Sequence, residues 1–248
     1  MKTCMQQQFR LPENVKKIET DEVFSFLCHP GITCFTHCCR QLELILTPYD
    51  VLRLKNAVGL TSSDFLKRYV IVEKEEHDTF PHLYLTMVDD GEASCVFVSG
   101  HGCTVYKDRP GACRAYPMGR AAMLKDRNTL DEFYVLLEEK HCRGFGQDQH
   151  QTPQQYCRDQ GLTSYNRFND AVAAILQHDR IRRGMILSEH QIERYLLALY
   201  DLDTFREMIL AGLLPDVVLD PTRKRELEED EPLLLFAIDW LKNSLFNR

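Results

Sequence analysis

The sequence predicts an α+β fold: a small cysteine-rich half with short helices and a β-hairpin, followed by a mainly helical region. Three observations lead there. Eight of the ten cysteines lie between Cys28 and Cys142, and none follows Cys157. Around residues 83–98 side chains alternate along short apolar runs that flank a turn signal, the mark of paired strands. Beyond residue 150 the apolar positions recur at three- and four-residue intervals, as on one face of a helix.

Thr47-Pro48-Tyr49-Asp50 opens the first helix, with proline at the first helical position and an acid in the first turn. Val51, Leu52, Leu54 and Val58 form its apolar face, and Gly59 ends it. Ser62 or Ser63 caps a second short helix that carries Phe65, Leu66 and Tyr69, with Lys67 and Arg68 on the outer face. Leu83, Leu85 and Met87 then alternate with Tyr84, Thr86 and Val88 up to a turn at Asp89-Asp90-Gly91, and Cys95-Val96-Phe97-Val98 reads as the returning strand. Phe133 to Leu137 reads as a further strand, although its pattern suits a helix nearly as well.

The polar, glycine-rich segment 144–151 reads as a connecting loop. It divides a cysteine-rich metal-binding domain over residues 1–150 from a helical region over residues 151–248 that packs on it. In that region Thr152-Pro153 starts a helix, and Tyr165 to Arg180 carries Phe168, Val172, Ile175 and Leu176 on one face. Ser188 to Tyr200 repeats the pattern through Ile192, Tyr195, Leu196 and Leu199, and Asp203 to Leu213 and Pro232 to Phe246 supply two more helices. The mixed-sign run Arg223 to Glu231 reads as a solvated loop or helix end.

A chain of 248 residues, 44% hydrophobic and 27% charged, buries a core without needing disulfides. Its net charge of -7 argues against a general phosphate-binding surface, so no nucleic-acid partner is expected. The N-terminal Met1-Lys2-Thr3-Cys4-Met5 offers no apolar run of secretory length, and the greasy stretch Leu233 to Trp240 is broken by Asp239. A soluble, cytoplasmic protein with no membrane partner is expected, in a compartment where thiols stay reduced.

There a cysteine cluster points to metal or redox chemistry. Cys28, Cys34, Cys38 and Cys39 fall within twelve residues on a loop made pliable by Pro30-Gly31, so they converge at small entropic cost. Adjacent residues in extended backbone face opposite sides, so Cys38 and Cys39 serve two sites, or one is a ligand and the other core. A second group comprises Cys95, Cys103 beside Gly102, and Cys113; Cys142, in another glycine-rich turn, is the eighth member. Arg109 and Arg114 are placed to offset the negative charge of a thiolate-bound cofactor. Cys4 and Cys157 read as small hydrophobes, and His29, His37, His101 and His141 as surface or hydrogen-bonding groups beside the thiols. Tyr106 and Tyr116 read as core or shielding groups. No phosphate-cradling loop, nucleophile elbow or His-Glu-x-x-His helix occurs, so no catalytic residue is assigned.

The paired Cys38-Cys39, Gly102-Cys103 with Val105-Tyr106 and Arg109-Pro110, Cys113-Arg114 with Tyr116-Pro117, and the late Cys142 together resemble the YkgJ-type cysteine-cluster family. The likeness spans roughly residues 24–165, and Arg109 to Pro117 is its most specific part. The opening group is more widely spaced than is usual in that family, with gaps of five and three residues. The resemblance implies a zinc- or iron-chelating domain of a kind also found in flagellin lysine methylases. Spacing alone selects neither metal, since no Cys-x-x-Cys and no ferredoxin pattern is present. An iron–sulfur cluster is favoured over Zn²⁺, in an accessory or electron-transfer role with a protein partner. The alternatives are a structural zinc module for protein interaction and a metal-supported, methylase-like group transfer.

Overall fold

A computed structural model describes residues 11–124, 130–214 and 217–246, and shows a mixed α+β architecture with short strands and hairpins first and a mainly helical C-terminal region. Strands β1 (Val15–Ile18) and β2 (Phe24–Ser25) lead into a single 3-10 turn at His37–Cys39. Helix α1 (Pro48–Val58) starts and stops where the sequence places it. Thr47 and Asp50 form a reciprocal capping box, and Gly59 closes the helix at φ 67°, a left-handed conformation that costs glycine little.

Helix α2 (Ser62–Tyr69) is capped by Thr61 rather than by Ser62 or Ser63. The two serines are engaged elsewhere. Their hydroxyls donate to the Asp201 carboxylate at 2.7 and 2.8 Å, a partner 139 and 138 residues away that local spacing cannot reveal.

The expected single hairpin is divided into three antiparallel pairs. Strand β3 (Val70–Glu73) pairs with β4 (His82–Leu85), β5 (Met87–Val88) with β6 (Ser94–Cys95), and β7 (Val98–Ser99) with β8 (Gly102–Cys103). The Thr86 N–H donates to the Tyr69 carbonyl at 2.9 Å, which extends the β3–β4 register by one pair before Met87 takes up Cys95 as its partner. The turn itself forms at the expected place, where the Asp90 carboxylate accepts the N–H groups of Glu92 and Ser94 at 3.0 and 3.2 Å.

Helix α3 (Gly111–Ala115) precedes β9 (Met118–Leu124) and β10 (Leu130–Leu137), which join β1 in a three-stranded antiparallel sheet of order β1-β10-β9. Phe133 to Leu137 is therefore strand. Strand β9 went unread because Met118-Gly-Arg-Ala-Ala-Met-Leu124 has no β-branched residue and several good helix formers; pairing with β10 overrides that local preference.

The glycine-rich segment 144–151 is not a free loop. It docks back on the N-terminal strand through β11 (His150–Gln151), which pairs with β2, and through Phe26 and Leu27 N–H bonds to the Gln149 and Gly144 carbonyls at 3.0 and 3.1 Å. Helices α4 (Pro153–Asp159) and α5 (Leu162–Leu176) follow; α5 ends before the expected Arg180, and α6 (Asp179–Arg182) begins afresh under a His178 cap. Then come α7 (Glu189–Leu199), α8 (Leu202–Leu210), α9 (Pro221–Glu226) and α10 (Asp230–Phe246). The mixed-sign run beginning at Arg223 lies in the exposed α9 and enters α10.

One apolar cluster runs through both halves, from Ile18 to Phe246. Helix α5 joins them: Phe168 stacks on Tyr49 of α1 at 4.3 Å, and Tyr165 meets the same ring edge-on at 4.9 Å. Buried Lys55 adds a polar tie, with its ammonium 3.1 Å from Asp203 and 3.4 Å from Asp230. Among the described residues no helix is long and apolar enough to cross a membrane.

A prediction concerns the docked segment. A Cβ on Gly144 would stand 2.3 Å from the Phe26 ring, which is itself packed against Tyr116, Phe145 and Tyr156. Gly144→Ala is expected to destabilise the fold by about 1–3 kcal/mol through overpacking. Urea denaturation should show a lowered midpoint at unchanged slope.

Candidate metal centre

The site is framed by a carboxylate. Asp50, 1% exposed, accepts the Thr47 N–H and hydroxyl on one oxygen, both at 2.8 Å, and the Gly111 N–H on the other at 2.7 Å. The cap of α1 and the first residue of α3 thus share one group. Burial pushes the Asp50 carboxyl upward; the Gly111 and Thr47 donors and the Arg114 charge oppose that rise. Gly111 fits this close approach, since a Cβ there would lie 3.2 Å from Tyr165 and 3.6 Å from the Asp50 oxygen.

From α3 the buried Arg114 folds back along the chain. Its guanidinium donates to the carbonyls of Arg109 at 3.0 Å, Gln160 at 2.8 Å and Lys107, and lies 4.8 Å from the Tyr165 ring centre. Buried Arg109 donates to the Tyr106 carbonyl at 2.6 Å and to the Gln160 side chain, with the Tyr106 ring at 3.8 Å. Among the described residues neither arginine has a carboxylate within salt-bridge distance. Two buried cations with only neutral hydrogen-bond partners fit a neighbouring anionic group.

The eight thiols fall into two groups. Cys39, Cys95, Cys103 and Cys113 form the first. An antiparallel bridge between Arg40 and Ser94 sets Cys39 beside Cys95, and Val98 pairs with Cys103 across β7 and β8. Cys113 reaches the same space from α3, and all four line a cavity of about 740 Å³ with Arg109, Tyr106 and Tyr165 also in its walls. Burial raises the Cys95 and Cys103 thiols, but backbone N–H groups of Phe97 and Val98 bond to Cys95 and that of Val105 to Cys103, which favours thiolate. Cys113 is pushed up to about 12, by burial first and then by Cys95, Asp50 and Cys103.

Cys28, Cys34, Cys38 and Cys142 form the second group and line a small cavity that adjoins the larger one, since Cys28 and Cys38 border both. The Arg143 N–H donates to the Cys34 sulfur at 3.1 Å, and the His37 and His141 rings, each next to a member cysteine, lie 4.6 Å apart. Cys28 is exposed as a residue, yet its thiol is raised to about 11 by partial burial of the sulfur and then by Cys38, Cys34 and Cys142. The groups meet at Cys38 and Cys39, where the Cys38 thiol hydrogen-bonds to Cys39; this raises Cys38 and lowers Cys39, so the latter carries thiolate more readily. Arg109 opposes the rise at both Cys28 and Cys103, so its charge reaches both groups.

All nine cysteines among the described residues are free thiols, and Cys4 lies outside those residues. Cys157, on α4, borders the larger cavity beside Tyr134 rather than joining either foursome. His29 bonds to Gln147 at 3.3 Å and to the Gly31 N–H at 3.1 Å, whereas the Nε2 of His141 is buried with no hydrogen-bond partner. Tyr116 donates to Glu139 at 2.7 Å and borders both cavities. Among the described residues no three His, Cys, Asp or Glu donors stand close enough to hold one ion as placed. Sequence reasoning missed Asp50 and Gln160 as supports. Asp50 was visible only as a capping acid, and nothing local announces that its second oxygen serves Gly111.

The Asp50 clamp is open to test. Asp50→Ala removes a cap and strands the Gly111 N–H, an expected loss of about 2–4 kcal/mol by denaturant titration. Asp50→Asn, which keeps one accepting oxygen, should lie between the variant and the natural chain.

The family model CxxCxxCC, described as "Putative zinc- or iron-chelating domain", matches residues 27–158, just over half of the chain. That span contains both thiol groups and both arginines. No curated protein and no solved structure matches the chain.

Proposed function

Since the chain belongs to the CxxCxxCC family of zinc- or iron-chelating domains, we propose that it holds an iron–sulfur cluster on Cys39, Cys95, Cys103 and Cys113 and serves in electron transfer or as an accessory to a partner protein. The observation that carries this reading is the first thiol group itself: four sulfurs from four separate stretches of chain line one cavity of about 740 Å³ whose wall includes the Arg109 guanidinium, which among the described residues has no carboxylate in salt-bridge distance.

A tetrathiolate zinc site needs its sulfurs roughly 3.8 Å apart, from a Zn–S bond of about 2.3 Å in tetrahedral geometry. A cluster spreads its ligands over several irons, and the broad cavity suits that wider arrangement. When bound, such a group supplies one-electron transfer. The chain's own residues then have defined work. The Phe97, Val98 and Val105 N–H groups donate to Cys95 and Cys103, which lowers the electron density on sulfur and raises the reduction potential. Arg109 and Arg114 supply positive charge that acts in the same direction, while Tyr106 and Tyr165 cover their faces. Electron transfer requires a redox partner, which we take to be another protein.

A second reading, metal-supported group transfer, is favoured by the size of the cavity, which lies within the roughly 300–1,000 Å³ of ligand pockets. It predicts that the holoprotein binds a small organic substrate in that space.

The cluster reading is tested by anaerobic purification with elemental analysis. Iron and acid-labile sulfide are expected in a brown protein whose visible absorption dithionite bleaches, and Cys113→Ser should lose the colour. A colourless protein with zinc at the first group would overturn the cluster in favour of the structural module.

A further inference from the structure

We propose that the free edge of strand β3 is a docking site for a basic, extended segment of a partner protein, which joins the sheet as an added strand. The proposal rests on the electron-transfer or accessory role for its purpose, but it stands on residues outside both thiol groups.

Backbone pairing sets the edge. Strand β4 is the middle one of three extended segments. On one side its Leu83 carbonyl accepts the Leu46 N–H at 2.7 Å and its Leu85 N–H donates to the Leu44 carbonyl at 2.9 Å, with Ile45 bridged to Tyr84. On the other side it pairs with β3, which places Val70 opposite Leu85, Ile71 opposite Tyr84 and Val72 opposite Leu83. Leu83 and Leu85 direct their backbone groups to the 44–46 segment, so Val70 and Val72 fall at the non-bonded pairs that alternate along an antiparallel ladder. The N–H and C=O of Val72 consequently point away from β4, and among the described residues no further strand meets them. Ile71 and Val72 are 47% and 48% exposed on opposite faces of this edge.

Charge selects the occupant. The Tyr84 hydroxyl is raised by lost hydration and then by Glu73, Glu43, Asp78 and Glu75, so four carboxylates surround the face that Tyr84 shares with Ile71. The run Glu73-Lys74-Glu75-Glu76-His77-Asp78 carries four acids to one lysine. An alternating strand on this edge sets basic side chains along the Tyr84 face, where their stems cover Ile71, and apolar ones beside Val72. Main-chain hydrogen bonds then supply affinity, and the carboxylates select a basic segment over an acidic one.

The edge is also near the first thiol group. Leu85 and Leu44 both line the large cavity, so one inter-strand step of about 4.8 Å separates β3 from a strand of its wall. Two residues beyond Leu85, Met87 pairs with Cys95. A partner held on β3 is thereby brought beside those sulfurs without displacing a cysteine.

The test uses the full-length protein, purified anaerobically, with a synthetic peptide of alternating lysine and valine as the probe and one of alternating glutamate and valine as its control. Hydrogen exchange over residues 70–73, read by mass spectrometry, should slow about tenfold with the lysine peptide at about ten times its Kd and stay unchanged with the glutamate peptide. Affinity, read by fluorescence anisotropy, should fall as salt rises. Val72→Pro removes the outward N–H at an edge position that tolerates proline and should abolish binding. The double variant Glu43→Lys with Glu75→Lys should weaken the lysine peptide about tenfold at low salt, and it decides the matter if the proline variant fails to fold. Equal binding of both peptides, or lysine-peptide binding that persists in folded Val72→Pro or in the double variant, overturns the docking site. A dimer of the natural protein that Val72→Pro dissociates overturns it too, because a second copy then covers the edge. A brown, iron-containing protein that ignores the lysine peptide removes the docking site and leaves the cluster standing. Protection of β3 in a protein that never holds iron supports the docking site and removes the cluster.

Discussion

The architecture of the centre depends on the carboxylate of Asp50, because it is the point at which two otherwise separate pieces of chain are bound to the same atoms' neighbours. One oxygen completes the capping box of α1, and the other accepts the N–H that begins α3. Helix α3 is short, so its position cannot be set by its own stability. Fixed at Gly111, it presents Cys113 to the first cavity, and one residue later Arg114 returns to the carbonyls of Lys107, Arg109 and Gln160. The end of α4 is joined to the cysteine-rich half by the same contacts. Tyr165 of α5 lies over Arg114 and donates to the Arg109 carbonyl at 3.1 Å, so the helical region forms part of the site's wall.

The electrostatics of this region make sense as a unit. Buried thiols resist ionisation, and Cys113 and Cys28 are raised accordingly. Buried guanidiniums cannot lose their charge, and Arg109 and Arg114 hydrogen-bond to carbonyl and amide oxygens, with the Asp50 carboxyl near enough to feel the Arg114 charge. Thiolates in this region would carry the charge opposite to that of the guanidiniums, and Arg109 opposes the rise at both Cys28 and Cys103. The chain carries a net charge of -7, yet the cation stands where the thiolates would be. That local arrangement governs the chemistry more than the overall charge does.

The two cavities differ in a way that follows from topology. The first group is gathered from the end of the 3-10 turn, bridged to β6 through Arg40 and Ser94, from β8, which pairs with β7, and from α3, and these elements border a wide space. The second draws three members from a single loop and one from the docked turn, which leaves little room. Adjacent Cys38 and Cys39 stay in contact through a thiol–thiol hydrogen bond, and both border the larger cavity where the two groups meet.

Much of this was legible in the sequence, where local chemistry dictates local structure. The Pro48 start and Gly59 stop of α1, the Thr152 start of α4 and the faces of α5, α7, α8 and α10 all depend on residues within a turn or two of each other. The cysteine cluster and the arginine-bearing phrase from Arg109 to Pro117 likewise identified the region of the metal site by residue type alone. Tertiary structure decided what depends on distant partners. It moved the α2 cap to Thr61 by binding Ser62 and Ser63 to Asp201, and it made a strand of helix-favouring β9 by pairing it with β10. It also turned the 144–151 segment into a clamp on β2 and gathered eight thiols around two adjoining cavities. The physical reason is that caps and amphipathic faces are set by neighbours along the chain, whereas which sulfur shares a cavity with which is set by contacts a hundred residues apart.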